Sequence, residues 1–502
     1  MKKFYITTPL YYVNDKPHIG HGYTTILADV LSRYNKMFGK DVFFLTGTDE
    51  HGQKVQEAAS KNNTTPKEHV DKFYKNYTDL WEKLNINYDR FIRTTEENHI
   101  KKVQTMLIHL WEKEDIYIDE YEGLYSVSEE RFITEKEHAE GDFREVTKLK
   151  EKNYFFKMSK YQQKLIEHIN SNPNFIIPET RKNEILGFLK KPLDDLCISR
   201  PKDRLEWGIE IPFDDKYVTY VWFDALLNYI TGVEWDNDEE IFNKWWPADC
   251  HLIGKDIITT HAVYWITMLM AAELPLPKRI LAHGWWLMEN TKISKSLGNV
   301  INPLDLISEY GEDALRFFLM REMTLGQDSS FSFDLFKKRY NDDLANDLGN
   351  LLNRITILIR KLCNGTVPTI DSMDNTDKSL VSEIETLTDK CIKNLNDFKI
   401  SIAIEDIMRL IRSTNKYLEI KQPWKSLKLN PNDQQGLNAL AISCEAIALS
   451  GKLLYPVMPQ KCQNIMNILG IDVRLINDFS FKNTSGNQIK EHDALFPRIE
   501  ND

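Results

Sequence analysis

The spacing of apolar residues changes several times along the chain, and each change predicts an element. Phe4-Tyr5-Ile6-Thr7-Thr8 reads as a short buried strand. The stretch PLYYVNDKP reads as a loop, with Pro9 and Pro17 as breakers. From His18 the pattern turns helical. Ile26, Val30, Leu31, Tyr34 and Met37 share one face, and Gly39 falls just past the end. DVFFLTGTDEHG then reads as a second strand running into a loop. Strand, helix and strand at this spacing predict a parallel βαβ unit, and such sheets bind ligands beyond the carboxyl ends of their strands.

Residues 116–215 mix short strand-like pieces, charge clusters and turns, and read as an insertion into an α/β domain. The α/β pattern resumes at YVTYVWFDALLNYI and continues through CHLIGKDIITTHAVYWITMLMAA and RILAHGWWL. After about residue 330 the chain is helical. Phe336, Tyr340, Leu344, Leu348, Leu352 and Ile355 recur every three or four positions, as plain helix-packing core does. Stripes of the same kind cross residues 377–422 and 434–454. No fixed-period repeat and no low-complexity tract interrupts this order.

Length and charge narrow the picture. At 502 residues the chain is too long for one ordinary domain. A formal net charge of −11 argues against nonspecific nucleic-acid binding, which favours basic proteins. It leaves room for one structured RNA gripped by local basic patches, with Lys337-Lys338-Arg339, Lys190-Lys191 and Arg360-Lys361 as candidates beside their plainer reading as solvated faces. The six cysteines are scattered, without a C-x-x-C pair, which suits a reducing compartment. No signal peptide, transit peptide or membrane span is legible, so a soluble cytoplasmic protein is expected.

Two short motifs carry chemistry. In His18-Ile19-Gly20-His21 two imidazoles sit three apart at the start of a helix, whose N-terminus favours anions. Gly20 leaves room for close backbone approach. The set reads as a seat for a polyphosphate. Lys292-Ile293-Ser294-Lys295-Ser296, followed by Leu297-Gly298-Asn299, reads as a loop closing over phosphates, with lysine charge where negative charge builds up. Alone, the first is as well explained by surface histidines, and the second is better explained by an exposed polar turn.

Together, in this order and these contexts, the two resemble the signatures of class I aminoacyl-tRNA synthetases. TTPLYYVNDKPHIGH, TGTDEHG, TYVWFDALLNY, HLIGKDI, AHGWW and KISKSLGN, with NLLNR and KQPW in the helical part, resemble the methionyl-tRNA synthetases. The resemblance implies a Rossmann-like parallel-sheet catalytic domain with an inserted connective domain, then an all-α helical-bundle anticodon-binding domain. The expected boundaries are 1–115 and 216–325 for the catalytic halves, 116–215 for the insertion, 326–355 for a stem-contact linker and 356–502 for the anticodon-binding domain.

It further implies activation of methionine by ATP and transfer to tRNA. His18, His21, Lys292 and Lys295 would be catalytic. His18, Gly20, His21, Gly254, Asp256 and Lys295 would hold ATP. Leu10, Tyr12, Asp49, Trp222, Ala225, Tyr229, Ile257, His261 and Trp265 would form the methionine pocket, with Asp49 receiving the ammonium. Asn350, Arg354 and Trp424 would read the anticodon. Mg²⁺ should accompany ATP. The attacking methionine carboxylate is already ionised, which accounts for the lack of a Ser-His-Asp or Cys-His signature.

Many relatives of this kind carry paired zinc cysteines in the insertion. Here Ser126 and Glu129 stand at such positions, so no structural zinc is expected. The insertion is too short for a large editing domain, and the end of the chain leaves no room for a dimerising module, so a monomer is expected. The alternatives are a sister class I synthetase, a small nucleotidyltransferase with an H-x-G-H motif, and a noncatalytic tRNA-binding relative. The last would be expected to lose His18, His21 or Lys295, and all three are present.

Overall fold

The computed structural model describes residues 2–14, 16–126, 131–133, 138–139, 146–288, 291–292, 301–472, 477–481 and 484–500. Two compact units account for the chain. One comprises Met1–Pro17, Asp41–Leu80 and Asn87–His283, the other His18–Lys40, Trp81–Ile86 and Gly284–Asp502.

The first unit is built on a seven-stranded sheet. Its strands are β1 (Lys3–Thr7), β2 (Tyr11–Tyr12), β3 (Asp41–Asp49), β4 (Arg90–Arg93), β5 (Ile176–Ile177), β6 (Cys250–Gly254) and β7 (Ile280–His283). Every pairing in it is parallel. β3 pairs with β1 and β4, and β1, β6, β7 and β5 follow side by side. The order reverses between β1 and β6, the place where sheets of this kind open a ligand crevice. β3 is buried along nearly its whole length, as expected of a strand covered on both faces. Gly47 lets β4 approach, because a Cβ there would lie 1.9 Å from the Ile92 carbonyl oxygen.

Two differences from the pattern reading concern very short strands. Tyr11–Tyr12 lies in the stretch read as a loop, yet it pairs with Thr48 and Asp49. Ile176–Ile177 lies in the stretch read as an insertion, yet it joins the parallel sheet beside β7. Two residues make only one period of the strand alternation, too few to repeat, so neither strand leaves a sequence signal. Around β5 the stretch does form separate antiparallel structure. Ile116–Ser126 pairs with Val146–Phe156 over eleven residues, and a second sheet joins Ser199–Pro201, Asp214–Thr219 and Glu210–Ile211.

The second unit is mainly helical. Its principal helices are α1 (Ile19–Met37), α2 (Glu312–Glu322), α3 (Asn350–Leu362), α4 (Asn375–Asn396), α5 (Ile400–Lys421) and α6 (Gln434–Leu454). The stripe from Phe336 to Ile355 is buried throughout. α6 is long and apolar enough to cross a membrane, but 94% of its most apolar window is buried inside the bundle. α1 is tied into this unit by a fully buried cation. Arg316 on α2 donates to Asp29 on α1 at 2.6 Å and to the carbonyls of Val457, Pro456 and Leu84 at 2.8, 2.7 and 3.0 Å. A buried guanidinium is tolerated only when paired and bonded in this way.

Candidate active site

The two histidines at the start of α1 form one structure. His18 is the N-cap, and its Nδ1 accepts from the Gly20 N–H at 3.1 Å. Nδ1 of His21 accepts from the His18 N–H at 3.2 Å. The rings stack, with centroids 3.9 Å apart. With both Nδ1 atoms accepting, the proton of each neutral ring sits on Nε2. Gly20 has a role its position alone did not reveal. A Cβ there would come within 2.9 Å of the His18 ring, so the missing side chain makes room for the capping imidazole.

In the first unit, residues from distant segments meet at the carboxyl ends of the sheet strands. Tyr12 and Asp49 are register partners, and Asp49 is buried. The Tyr12 carbonyl accepts from Tyr77, and its ring lies under the Lys54 ammonium. Beyond β6, Gly254 admits the Asp256 carboxylate, whose Oδ1 would lie 2.6 Å from a Cβ at that position. Trp222 and Ala225 ride on the short helix Val221–Leu226, and Tyr229 follows on Asn228–Thr231. His261 and Trp265 belong to a π-helical turn, Thr260–Trp265, a form frequent at functional sites.

Four of these side chains interlock. Tyr229 donates to Nε2 of His261 at 2.8 Å, and Nδ1 of His261 donates to the Ile257 carbonyl at 2.9 Å. Trp222 stands edge-on to His261 at 6.2 Å, and Tyr229 lies 5.8 Å from Trp265. Behind them, Trp265 donates to Nε2 of His251 at 3.2 Å, and Nδ1 of His251 donates to Thr7 at 2.8 Å. Burial pushes His261 down to about 4, overriding the Ile257 hydrogen bond and Asp256, which act in the opposite direction. Burial likewise holds His251 well below its usual value and Tyr229 well above its own. The cluster is therefore polar yet uncharged near neutral pH. Leu10, Trp222 and Ile257 remain partly exposed against this core, so the apolar lining is open to a ligand.

Sequence reasoning missed the groups that brace this site. Asp224, 1% exposed, accepts from Nδ1 of His51 at 2.7 Å and Nε2 of His99 at 2.8 Å. Burial alone would raise its pKa, but the two imidazoles outweigh it and hold the carboxyl below the usual range. Glu50, fully buried, accepts from Arg93 and Thr48 at 2.7 Å each. Asp224 stood in VWFDALLNY, where a charged residue in an apolar run was the available signal, whereas His51 stood in the polar run TGTDEHG, with nothing to set it apart from its neighbours. His99 and Arg93 had none.

In the helical unit, Asn350 and Arg354 lie one turn apart on α3, and Asn350 is exposed. The Arg354 guanidinium stacks 4.5 Å from the centre of the Trp424 ring, and its Nη1 pairs with Glu419 at 2.6 Å. Trp424 is half-buried at the start of Pro423–Leu429. Lys292 ends the short strand Thr291–Lys292, with its side chain outside the described residues, and Lys295 lies wholly outside them. Ser126 ends the strand Ile116–Ser126, and Glu129 is likewise outside the described residues. Among the described residues, no group of three or more His, Cys, Asp or Glu could hold a metal ion.

Comparison with known proteins gives concordant results. A family described as tRNA synthetases class I (M) matches residues 4–142 and 143–356, and one described as the anticodon binding domain of methionyl tRNA ligase matches 367–502. A methionine–tRNA ligase of Fusobacterium nucleatum is 44% identical over 514 residues, covering 99% of this chain and 80% of that protein. The enzyme of Bacillus subtilis is 40% identical, covering 99% and 78%. Among solved structures, the methionyl-tRNA synthetase of Mycobacterium tuberculosis in complex with methionyl-adenylate superposes with a TM-score of 0.96, at 38% identity, covering 99% of this chain and all of that one.

Proposed function

The chain belongs to the class I methionyl-tRNA synthetases, and from that premise we propose how its residues share the work of a methionine–tRNA ligase. The enzyme joins methionine to ATP as methionyl-adenylate and then passes the methionyl group to tRNA. The observation that carries our reading of the site is the uncharged aromatic pocket built on Tyr229, His261 and Trp265.

A thioether is apolar, polarizable and a poor hydrogen-bond acceptor. A lining of Leu10, Trp222, Ala225, Ile257 and Trp265 suits it. Shape alone distinguishes side chains by only about 1–3 kcal/mol per methylene, so the lining must hold its form. The Tyr229–His261–Ile257 relay supplies that rigidity without placing a charge against sulfur. Asp49 receives the substrate ammonium, and Tyr12 closes the pocket beside it.

In the first step the methionine carboxylate attacks the α-phosphorus, and the bond to the bridging oxygen of the leaving pyrophosphate breaks. No enzymic nucleophile is required, so catalysis rests on positioning and on charge stabilisation. His18 and His21 donate Nε2–H to the phosphates, with Gly20 shaping that turn. Lys295, with Lys292 assisting, brings cationic charge to them. Gly254 and Asp256 hold the adenosine, the carboxylate accepting from ribose hydroxyls. Mg²⁺ would accompany ATP and would supply positive charge at its phosphates. In the second step the terminal ribose hydroxyl of tRNA attacks the methionyl carbonyl and AMP leaves. Asn350, Arg354 and Trp424 read the anticodon by stacking and edge contacts.

We assign residues 1–115 and 216–325 to the catalytic domain, 116–215 to the insertion apart from the catalytic-sheet strand Ile176–Ile177, 326–355 to stem contact and 356–502 to anticodon binding. A zinc-free, monomeric, cytoplasmic enzyme completes the proposal; elemental analysis finding stoichiometric zinc, or light scattering finding a dimer, would correct it. The decisive assay is exchange of labelled pyrophosphate into ATP across the amino acids. Exchange with methionine alone is expected. Exchange with another amino acid moves the reading to a sister enzyme, and none at all favours a tRNA-binding relative.

A further inference from the structure

Asp224 is the acidic member of a buried triad that the mechanism above does not use. It sits between Trp222 and Ala225 on the helix Val221–Leu226, one wall of the methionine pocket. One of its oxygens takes the hydrogen bond of His51, two residues beyond Asp49, the group assigned to the substrate ammonium. The other takes that of His99, which stands on the helix Glu97–Glu112 and also contacts Thr231 at 2.8 Å. His51 is further braced against Trp207, 5.4 Å between centroids, and the Trp207 indole bonds the Glu50 carbonyl.

The geometry points to Asp224 as a positioning residue that locks the ammonium-binding end of β3, with the loop that follows it, to the side-chain wall of the methionine pocket. The inference rests on the methionine-pocket reading above. Two attachment points of one substrate lie on different segments, the ammonium site at the end of β3, two residues before His51, and the thioether wall on Val221–Leu226. Their separation must match the distance between the ammonium and the sulfur of methionine. The Asp224 carboxylate, itself on that wall, sets the separation through its bond to His51, and its bond to His99 holds the carboxylate in place. Being buried and doubly bonded, it resists relaxation. The phosphate-binding residues gain nothing from this lock, so its loss should be felt for methionine and not for ATP.

The test is Asp224→Asn, studied by methionine-dependent pyrophosphate exchange with each substrate varied. An amide cannot accept from both imidazoles, so one arm of the lock is lost while shape is kept. KM for methionine should rise about tenfold to a hundredfold, as misplacements of about 1 Å cost, while KM for ATP stays within about twofold. An unchanged KM for methionine, or a proportional loss in every parameter that tracks the folded fraction, would overturn the proposal. If Asp224→Asn does not fold, His51→Gln and His99→Gln take its place. The first breaks the arm that reaches the ammonium loop, the second the arm that does not. At matched thermal stability, His51→Gln should raise KM for methionine clearly more than His99→Gln, and equal effects would overturn the idea. Methionine-specific exchange by the unaltered enzyme checks the pocket reading separately, so the two can fail independently.

Discussion

The proposed methionine pocket and the proposed anticodon surface at Arg354–Trp424 meet their ligands in opposite ways. In the pocket, Tyr229, His261 and Trp265 are buried and neutral before any ligand arrives, with Tyr229 bonded to His261 and packed against Trp265. On the helical surface, a charged guanidinium stacks on a half-buried indole and is steadied by a surface carboxylate. A small apolar side chain offers few contacts, so its selection depends on a lining that cannot adjust. An RNA loop brings its own planes and edges, so the protein need only offer flat, wet groups for bases to stack on. Rigidity belongs to the first region and accessibility to the second.

The sharpest way to separate the regions is to disable the first step alone. Lys295→Ala should lower adenylate formation by about a hundredfold to a thousandfold, the usual effect of losing one charge-stabilising donor, while tRNA binding and the thermal midpoint hold. Loss of tRNA binding in the same variant would erase the division between the regions.

The pocket's rigidity should also be visible as a pH dependence that the surface lacks. His261 is held at about 4 in the folded protein against 6.5 when free. Its folded value is the lower one, so its contribution is complete above about pH 6.5. It is lost as pH falls toward 4, where the unfolded chain takes the proton and the folded chain refuses it. Denaturant unfolding at pH 7.5 and near pH 4 should show a stability loss smaller by roughly 3 kcal/mol in His261→Gln than in the parent. An equal loss in both would mean that His261 is not buried neutral.

Trp424→Ala tests the surface. Base–aromatic stacking contributes about 1–3 kcal/mol, so tRNA charging should fall about tenfold to a hundredfold while pyrophosphate exchange stays within about twofold. Unfolding of this variant would return Trp424 to the helical core. The smallest effect should come from Glu419→Gln. This removes an exposed partner of Arg354, and such pairs are worth about 0–1 kcal/mol. Charging should change by less than about fivefold, and a larger loss would show that Arg354 needs that carboxylate to hold its place.

Much of this was legible along the chain. The run in Asp41–Asp49 reads as a strand because burial on both faces demands continuous apolar character. The stripe from Phe336 to Ile355 reads as a helix because one face must be dry. His18 reads as a helix start because the breaker Pro17 precedes it. The site was partly legible, since short motifs keep their members within a few residues of each other. What stayed hidden has a common cause. Asp224 meets His51 across 173 positions and His99 across 125, and Arg316 meets Asp29 across 287. Single buried polar residues of this kind have no period and no fixed spacing.

By itself, then, the order of residues determined the kinds of element, the sequence of parallel-sheet and helical regions, and the two short motifs from which phosphate binding is proposed. Local propensity and burial periodicity act over a few residues, and that is the range a linear pattern can encode. The tertiary structure decided the two-residue strands, the protonation of His261 and His251, the stacking of Arg354 on Trp424 and the Asp224 triad. Each of these depends on which distant groups share a dry space, and the electrostatic cost of burying a polar atom is set only when its partner arrives.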